Sequence, residues 1–164
     1  MFQASDSSVG VEVSGIGAVG NRILSNSIFS NKELGIDLFG DFEDASGNTA
    51  NDPATWIQGP TTCRTSMSSA RKSASGKTLV KGRLGSAPNR TYTIQLFSNP
   101  KGTNEGKKLI GQRTSLTTDS SGKVSFSFST RKAIALGSTI IATAIDSSAL
   151  DTSEFSAPKK VVAS

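Results

Sequence analysis

From Lys77 onward, apolar and polar residues alternate with the period of a half-buried strand. Val124, Phe126 and Phe128 are interleaved with Lys123, Ser125 and Ser127, and Tyr92, Ile94 and Leu96 with Thr93, Gln95 and Phe97. Successive side chains of a strand leave opposite faces, so both triplets are expected to face a core. Candidate strands run over Lys77–Leu84, Thr91–Ser98, Leu109–Thr118, Lys123–Thr130, Ser138–Asp146 and Ser153–Val162. Turn chemistry separates several of them: Ser86-Ala87-Pro88-Asn89, Asn99-Pro100-Lys101-Gly102 and Asp119-Ser120-Ser121-Gly122. Strands this short and regularly spaced predict an antiparallel β-sandwich, expected to fold as its own unit over residues 70–164.

The first forty residues have another texture. Val9, Val11 and Val13 alternate with Gly10 and Glu12, a short strand. Two copies of a five-residue unit follow, Asn21-Arg22-Ile23-Leu24-Ser25 and Asn26-Ser27-Ile28-Phe29-Ser30, then Asn31 and Gly35-Ile36-Asp37-Leu38. The apolar residues come as isolated pairs fenced by Ser and Asn, which is no helical face and points to a solenoid of short strands and sharp corners. Asn is expected at the corners, because its short polar side chain tolerates positive φ, and stacked Asn residues can bond from coil to coil. Gly15-Ile16-Gly17-Ala18-Val19-Gly20 has the letters of a dinucleotide-binding loop. That site needs a helix directly after the glycines, and Asn-Arg-Ile-Leu-Ser-Asn offers neither helical face nor cap.

Charge divides along the same boundary. Residues 1–60 hold two basic and eight acidic side chains, and residues 61–164 sixteen basic and five acidic, which together make the net +5. Two units are the simplest reading, with opposite charges able to attract across the junction. An acidic polysaccharide is the external partner that this charge favours. Nucleic acid is not expected, since no aromatic residues interleave with basic ones such as Arg71, Lys81 and Arg83. The chain has no histidine and one cysteine, Cys63. Ser-His-Asp and Cys-His nucleophile systems are therefore excluded, as is an internal disulfide. Ser73-Ala74-Ser75-Gly76-Lys77-Thr78 ends like a phosphate loop but has Arg71 where the first glycine belongs. Residues 40–53 are a polar stretch in which Asp41, Asp44, Asn51 and Asp52 supply the hard oxygen ligands that calcium prefers, without EF-hand spacing; a solvated linker is the alternative. No other cofactor is expected, and no apolar run reaches the roughly 18 residues of a membrane span.

Val9–Val13, Gly20-Asn21, the Asn-x-Ile-x-Ser-Asn units and Gly35-Ile36-Asp37-Leu38 together resemble the last coils of a right-handed parallel β-helix (pectin-lyase-like) from large secreted or surface-attached bacterial proteins. In that family the coils lead through an Asp/Asn-rich linker into an immunoglobulin-like β-sandwich. The stretches Tyr92–Pro100, Thr118–Gly122 and Ala142–Asp146 through Thr152–Ser156 are similar to that sandwich. The resemblance implies terminal coils over residues 1–40, a linker over 41–69 and a sandwich over 70–164. It also implies an extracellular or cell-surface location, an export signal on a longer parent chain, and a non-catalytic structural or adhesion role joined to the rest of that chain. A carbohydrate-binding or polysaccharide-degrading accessory domain is the competing class. Ile141 and Ile145 stand where the family more often has threonine, so either that face is covered or both are surface apolar residues. Residues 54–69 match neither neighbour. Similar proteins carry a sixteen-residue linker of the type GDxDTGPNNLQNFxVL there, which a shifted reading frame of the same codons can spell, a reading that leaves Trp56 and Cys63 without an evolved role; a genuinely divergent linker is the alternative.

Overall fold

The computed structural model describes residues 9–14, 20–32, 35–39, 64–103 and 105–164. These residues are all-β, without a helix, and form ten strands in three sheets: β1 (Val11–Ser14), β2 (Ile36–Phe39), β3 (Arg64–Lys72), β4 (Thr78–Gly85), β5 (Thr91–Asn99), β6 (Lys108–Thr117), β7 (Lys123–Thr130), β8 (Thr139–Asp146), β9 (Lys159–Lys160) and β10 (Val162–Ala163). None of the sheets closes into a barrel.

Two four-stranded sheets, ordered β10-β3-β4-β7 and β6-β5-β8-β9, enclose the main core. Tyr92, Ile94 and Leu96 of β5 and Ile140, Ala142 and Ala144 of β8 meet Met67, Ala70, Val80, Leu84 and Phe126 from the other sheet, with Val124 and Phe128 packed against them. Both expected triplets thus face inward. Within the core the Tyr92 hydroxyl shares a hydrogen bond with Ser86 Oγ (2.8 Å), which satisfies both polar ends out of water.

Three features depart from the expectation, each for a local reason. Strand β3 opens at Arg64, inside the stretch expected to be linker. Thr65 and Met67 point inward there, and a register shift between Met67 and Ser69 returns Ala70 to the same face, so a strict alternation of period two is broken. The stretch expected to be a strand at Ser153–Val162 is instead a bridge at Thr152 followed by irregular chain. Ser153 Oγ and Ser156 Oγ accept from the Ala144 and Ala142 N–H groups (2.8 and 3.0 Å), so hydroxyls take the place of ladder carbonyls. Beyond Pro158 the chain changes sheets within five residues. Lys159–Lys160 pair antiparallel with β8 and Val162–Ala163 pair parallel with β3, while Val161 between them is buried in the core.

In the third sheet β1 and β2 pair in parallel, Val11 opposite Ile36, so one return of the chain takes 25 residues, from 11 to 36. Residues 20–32 lie within that return and form no helix. Gly20, Ser25 and Ser30, spaced five apart, all have positive φ (79°, 55° and 65°). Each precedes an asparagine, so the left-handed corners fall on the serines that close the five-residue units and not on the asparagines, as had been expected. Asn31 instead donates from its backbone N–H and its Nδ2 to Glu105 Oε1 (2.9 and 2.7 Å). Inside the return the chain packs tightly: a Cβ on Gly10 would stand 2.5 Å from the Gly35 carbonyl oxygen and 2.6 Å from Ile28 Cγ2.

Candidate functional site

Strands β5 and β8 are buried on both faces. Their outward rows, Phe97 opposite Ile141, Gln95 opposite Thr143 and Thr93 opposite Ile145, lie on the sheet face that receives residues 20–32 and 35–39. Ile141 and Ile145 are 0% and 3% exposed, so of the two alternatives for them, the outer face is covered.

The seam is held by side chains of the sandwich acting on backbone groups of the covering segment. Asp151 Oδ1 accepts from the N–H of Gly20 and of Asn21, Glu105 from Asn31, and Glu154 Oε1 from Leu38 (3.1 Å). Thr152 Oγ1 accepts from the Ile23 N–H (2.9 Å), the Gly106 carbonyl from the Ile28 N–H (3.0 Å), and Gln95 closes both ends of its amide on Ser25. Such charge-assisted bonds give irregular backbone the partners that a ladder would otherwise provide. The aromatic contact is Phe155. Its ring meets Phe97 edge to face at 5.5 Å between centroids and fills the space where Gly35 and Gly106 lack a Cβ, the former at 2.8 Å. Lys107 Nζ lies 5.0 Å from the Phe29 ring centre. Opposite net charges had suggested attraction between the two parts. At the seam, carboxylates of the basic part accept from uncharged N–H groups of the acidic part.

Beside the seam lies a groove of about 440 Å³ whose lining includes Arg22, Leu24, Thr93, Gln112, Asp146 and Leu150. Asp146 is the one carboxylate among the described residues lining it. Its oxygens accept from Arg90 Nη1 (2.9 Å) and from the Ser148 and Ala149 N–H groups (2.7 and 3.0 Å). Burial pushes its pKa up, but the Ala149 and Ser148 N–H groups and the Arg90 guanidinium outweigh that, and it lies below the ordinary 3.8. A lowered folded-state value means that this contribution to stability is complete above the unfolded-state pKa of about 3.9 and disappears as pH falls through the folded-state value. The stability advantage of the native chain over Asp146→Asn should therefore shrink below about pH 4. Urea titrations along an acid series check this, and a gap unchanged from neutral to acidic pH would remove Asp146 as its source.

Glu105, Asp119, Asp146, Asp151 and Glu154 are the five acidic residues after residue 60. Three bind the covering segment. The other two close turns, with Asp119 Oδ1 accepting from Ser121 and Lys123. Sequence reasoning did not single out any of the three at the seam, and the one available signal was their scarcity in a basic half. The calcium candidates Asp41, Asp44, Asn51 and Asp52 lie outside the described residues, as do Trp56 and Cys63. The loop at Ser73–Lys77 joins β3 to β4 as a hairpin, with Ser73 N–H bonded to the Lys77 carbonyl (2.9 Å). No helix among the described residues is long and apolar enough to cross a membrane.

No protein-family model matches the chain, and no curated protein matches it. Among solved structures, a selenomethionine-labelled β-glucosidase from Kluyveromyces marxianus is similar at 15% identity with a TM-score of 0.36. The match covers 62% of this chain and 15% of that one.

Proposed function

We propose that the chain is a non-catalytic structural or adhesion module in which the end of a right-handed parallel β-helix is locked onto an immunoglobulin-like β-sandwich, within a longer secreted or cell-surface protein. The observation that carries this reading is the seam. Three carboxylates of the sandwich, Asp151, Glu105 and Glu154, accept from backbone N–H groups of the covering segment, Glu105 also from the Asn31 side chain, and so tie that segment to the sandwich. The parallel 25-residue return fits one solenoid coil, and its N-terminal side is where a preceding coil would stack. The strand order β3-β4-β7 against β6-β5-β8-β9 follows A-B-E against C′-C-F-G of an immunoglobulin-like sandwich. Against catalysis, sugar hydrolysis needs two carboxylates facing across a bound sugar, whereas among the described residues Asp146 is the one carboxylate lining the groove and its oxygens are already engaged. The test is incubation of the intact chain with a panel of neutral and acidic polysaccharides, followed by reducing-end and unsaturated-uronide assays. No turnover is expected; turnover abolished by substitution at Asp146 would overturn the reading.

A further inference from the structure

The outer face of the other sheet carries a different chemistry. On β3, β4 and β7 the exposed residues are Arg64, Ser66, Ser68, Arg71, Leu79, Lys81, Arg83, Lys123, Ser125, Ser127 and Ser129, and none of these strands contains a carboxylate. The register sets them in rows. Arg83 lies between Ser66 and Ser125, Lys81 between Ser69 and Ser127, and Gly85 between Arg64 and Lys123. With strands about 4.8 Å apart and same-face residues about 6.8 Å apart along a strand, Lys81 and Arg83 form a central cationic line. Arg64 and Lys123 flank an open position, because nothing lies within 4 Å of where a Gly85 Cβ would be. The side chains of Arg64, Lys81 and Arg83 meet no hydrogen-bond or ion-pair partner among the described residues. All five acids of the basic half are spent elsewhere, on the seam and on turns, so nothing neutralises this face from its own strands.

We infer that this face binds an anionic polysaccharide, a chain bearing carboxylate or sulfate groups, laid across β3, β4 and β7. The cations meet its charges, and the serine rows offer donors and acceptors to its hydroxyls. A nucleic acid fits less well: the aromatic rings of these strands, Phe126 and Phe128, turn toward the core, so no platform stacks bases, and a flat sheet does not enter a duplex groove. The inference stands whether or not the parallel pair ends a β-helix.

The experiment measures binding of the intact chain to polygalacturonate, dextran sulfate, uncharged dextran and single-stranded DNA in about 0.15 M salt, where charges are screened over about 8 Å. The Lys81→Glu/Arg83→Glu variant changes exposed positions only. Lys101→Glu/Lys108→Glu, also exposed, makes the same change in net charge away from this face. The expected result is binding to one or both acidic polysaccharides and none to dextran, weakened about tenfold or more by the first variant and less than about twofold by the second. Preference between polygalacturonate and dextran sulfate assigns carboxylate or sulfate. Equal losses in the two variants would reduce the effect to net charge, tighter binding of DNA would replace the partner, and absence of binding to either acidic polysaccharide would overturn the proposal. Circular dichroism and a melting curve of each variant confirm that the fold is retained.

Discussion

A fragment that begins at Ala70 is expected not to hold the fold of the intact chain, although strand alternation alone suggests a self-sufficient unit from that residue. Cutting there removes Arg64–Ser69, which pair with Lys81–Gly85, and takes Met67 out of the core. It also removes the cover from Phe97, Ile141, Ile145 and Phe155. Each large apolar side chain returned to water costs about 1.5–3 kcal/mol, so these four together cost about 6–12 kcal/mol, comparable to the roughly 5–15 kcal/mol that holds a domain folded, and the gap left by Met67 adds to that. The sheet left exposed would pair or aggregate. Chemical denaturation and size-exclusion chromatography of residues 70–164, compared with the intact chain, check this. A monomeric fragment with the same denaturation midpoint would show that the seam adds nothing to the sandwich.

Phe155→Ala should cost about 3 kcal/mol and release the covering segment before the sandwich opens. The ring touches three things at once: Phe97 on the sheet, Gly106 in the loop before β6, and Gly35 at the entry to β2. Removing it leaves a void lined by two glycines, which have no side chains to move into it. The polar seam bonds and the Lys107–Phe29 contact would then carry most of the hold on residues 20–32 and 35–39. Hydrogen exchange should report the order of events, with the Ile23, Ile28 and Leu38 amides losing protection in the variant while those of β4 and β5 keep theirs. A uniform loss over all these amides would mean that the seam and the sandwich unfold as one unit, and a cost below about 1 kcal/mol would make Phe155 a surface residue in energetic terms.

Strands with a clean period of two were legible to within a residue or two, as at Thr91–Asn99 and Lys123–Thr130, because one face of each packs on an apolar core and the pattern records that burial. Strand β3 was not. Its inward residues are Thr65, Met67 and Ala70, a weakly apolar set put out of step by the bulge, and its outward serines read as linker. The Ser153–Ser156 stretch misled in the opposite direction. Its composition suits a strand, but hydroxyls in the right rotamer bond β8 without strand geometry. Period five in residues 21–31 was plain, whereas the residue that takes the corner was not, since Asn is the residue that favours positive φ and the corners fall on Ser25 and Ser30 against that local preference. The seam was the least visible. A carboxylate that serves backbone N–H groups leaves no complementary residue type in the partner segment, so charge patterning has nothing to match.

The change of sheet at Val161 has a mechanical consequence. Residue 64 enters β3 and residue 164 leaves β10, and these two strands run parallel. Tension applied between the two points therefore draws the strands past each other along their length. The Val162–Arg71 and Ala163–Lys72 pairs, with the Ser164 N–H on the Lys72 carbonyl, share that load simultaneously instead of parting one after another. Val161, anchored in the core, must be dragged through packed side chains before β9 can follow. Force applied between residues 64 and 164 is thereby met in shear, the geometry in which paired strands resist it together.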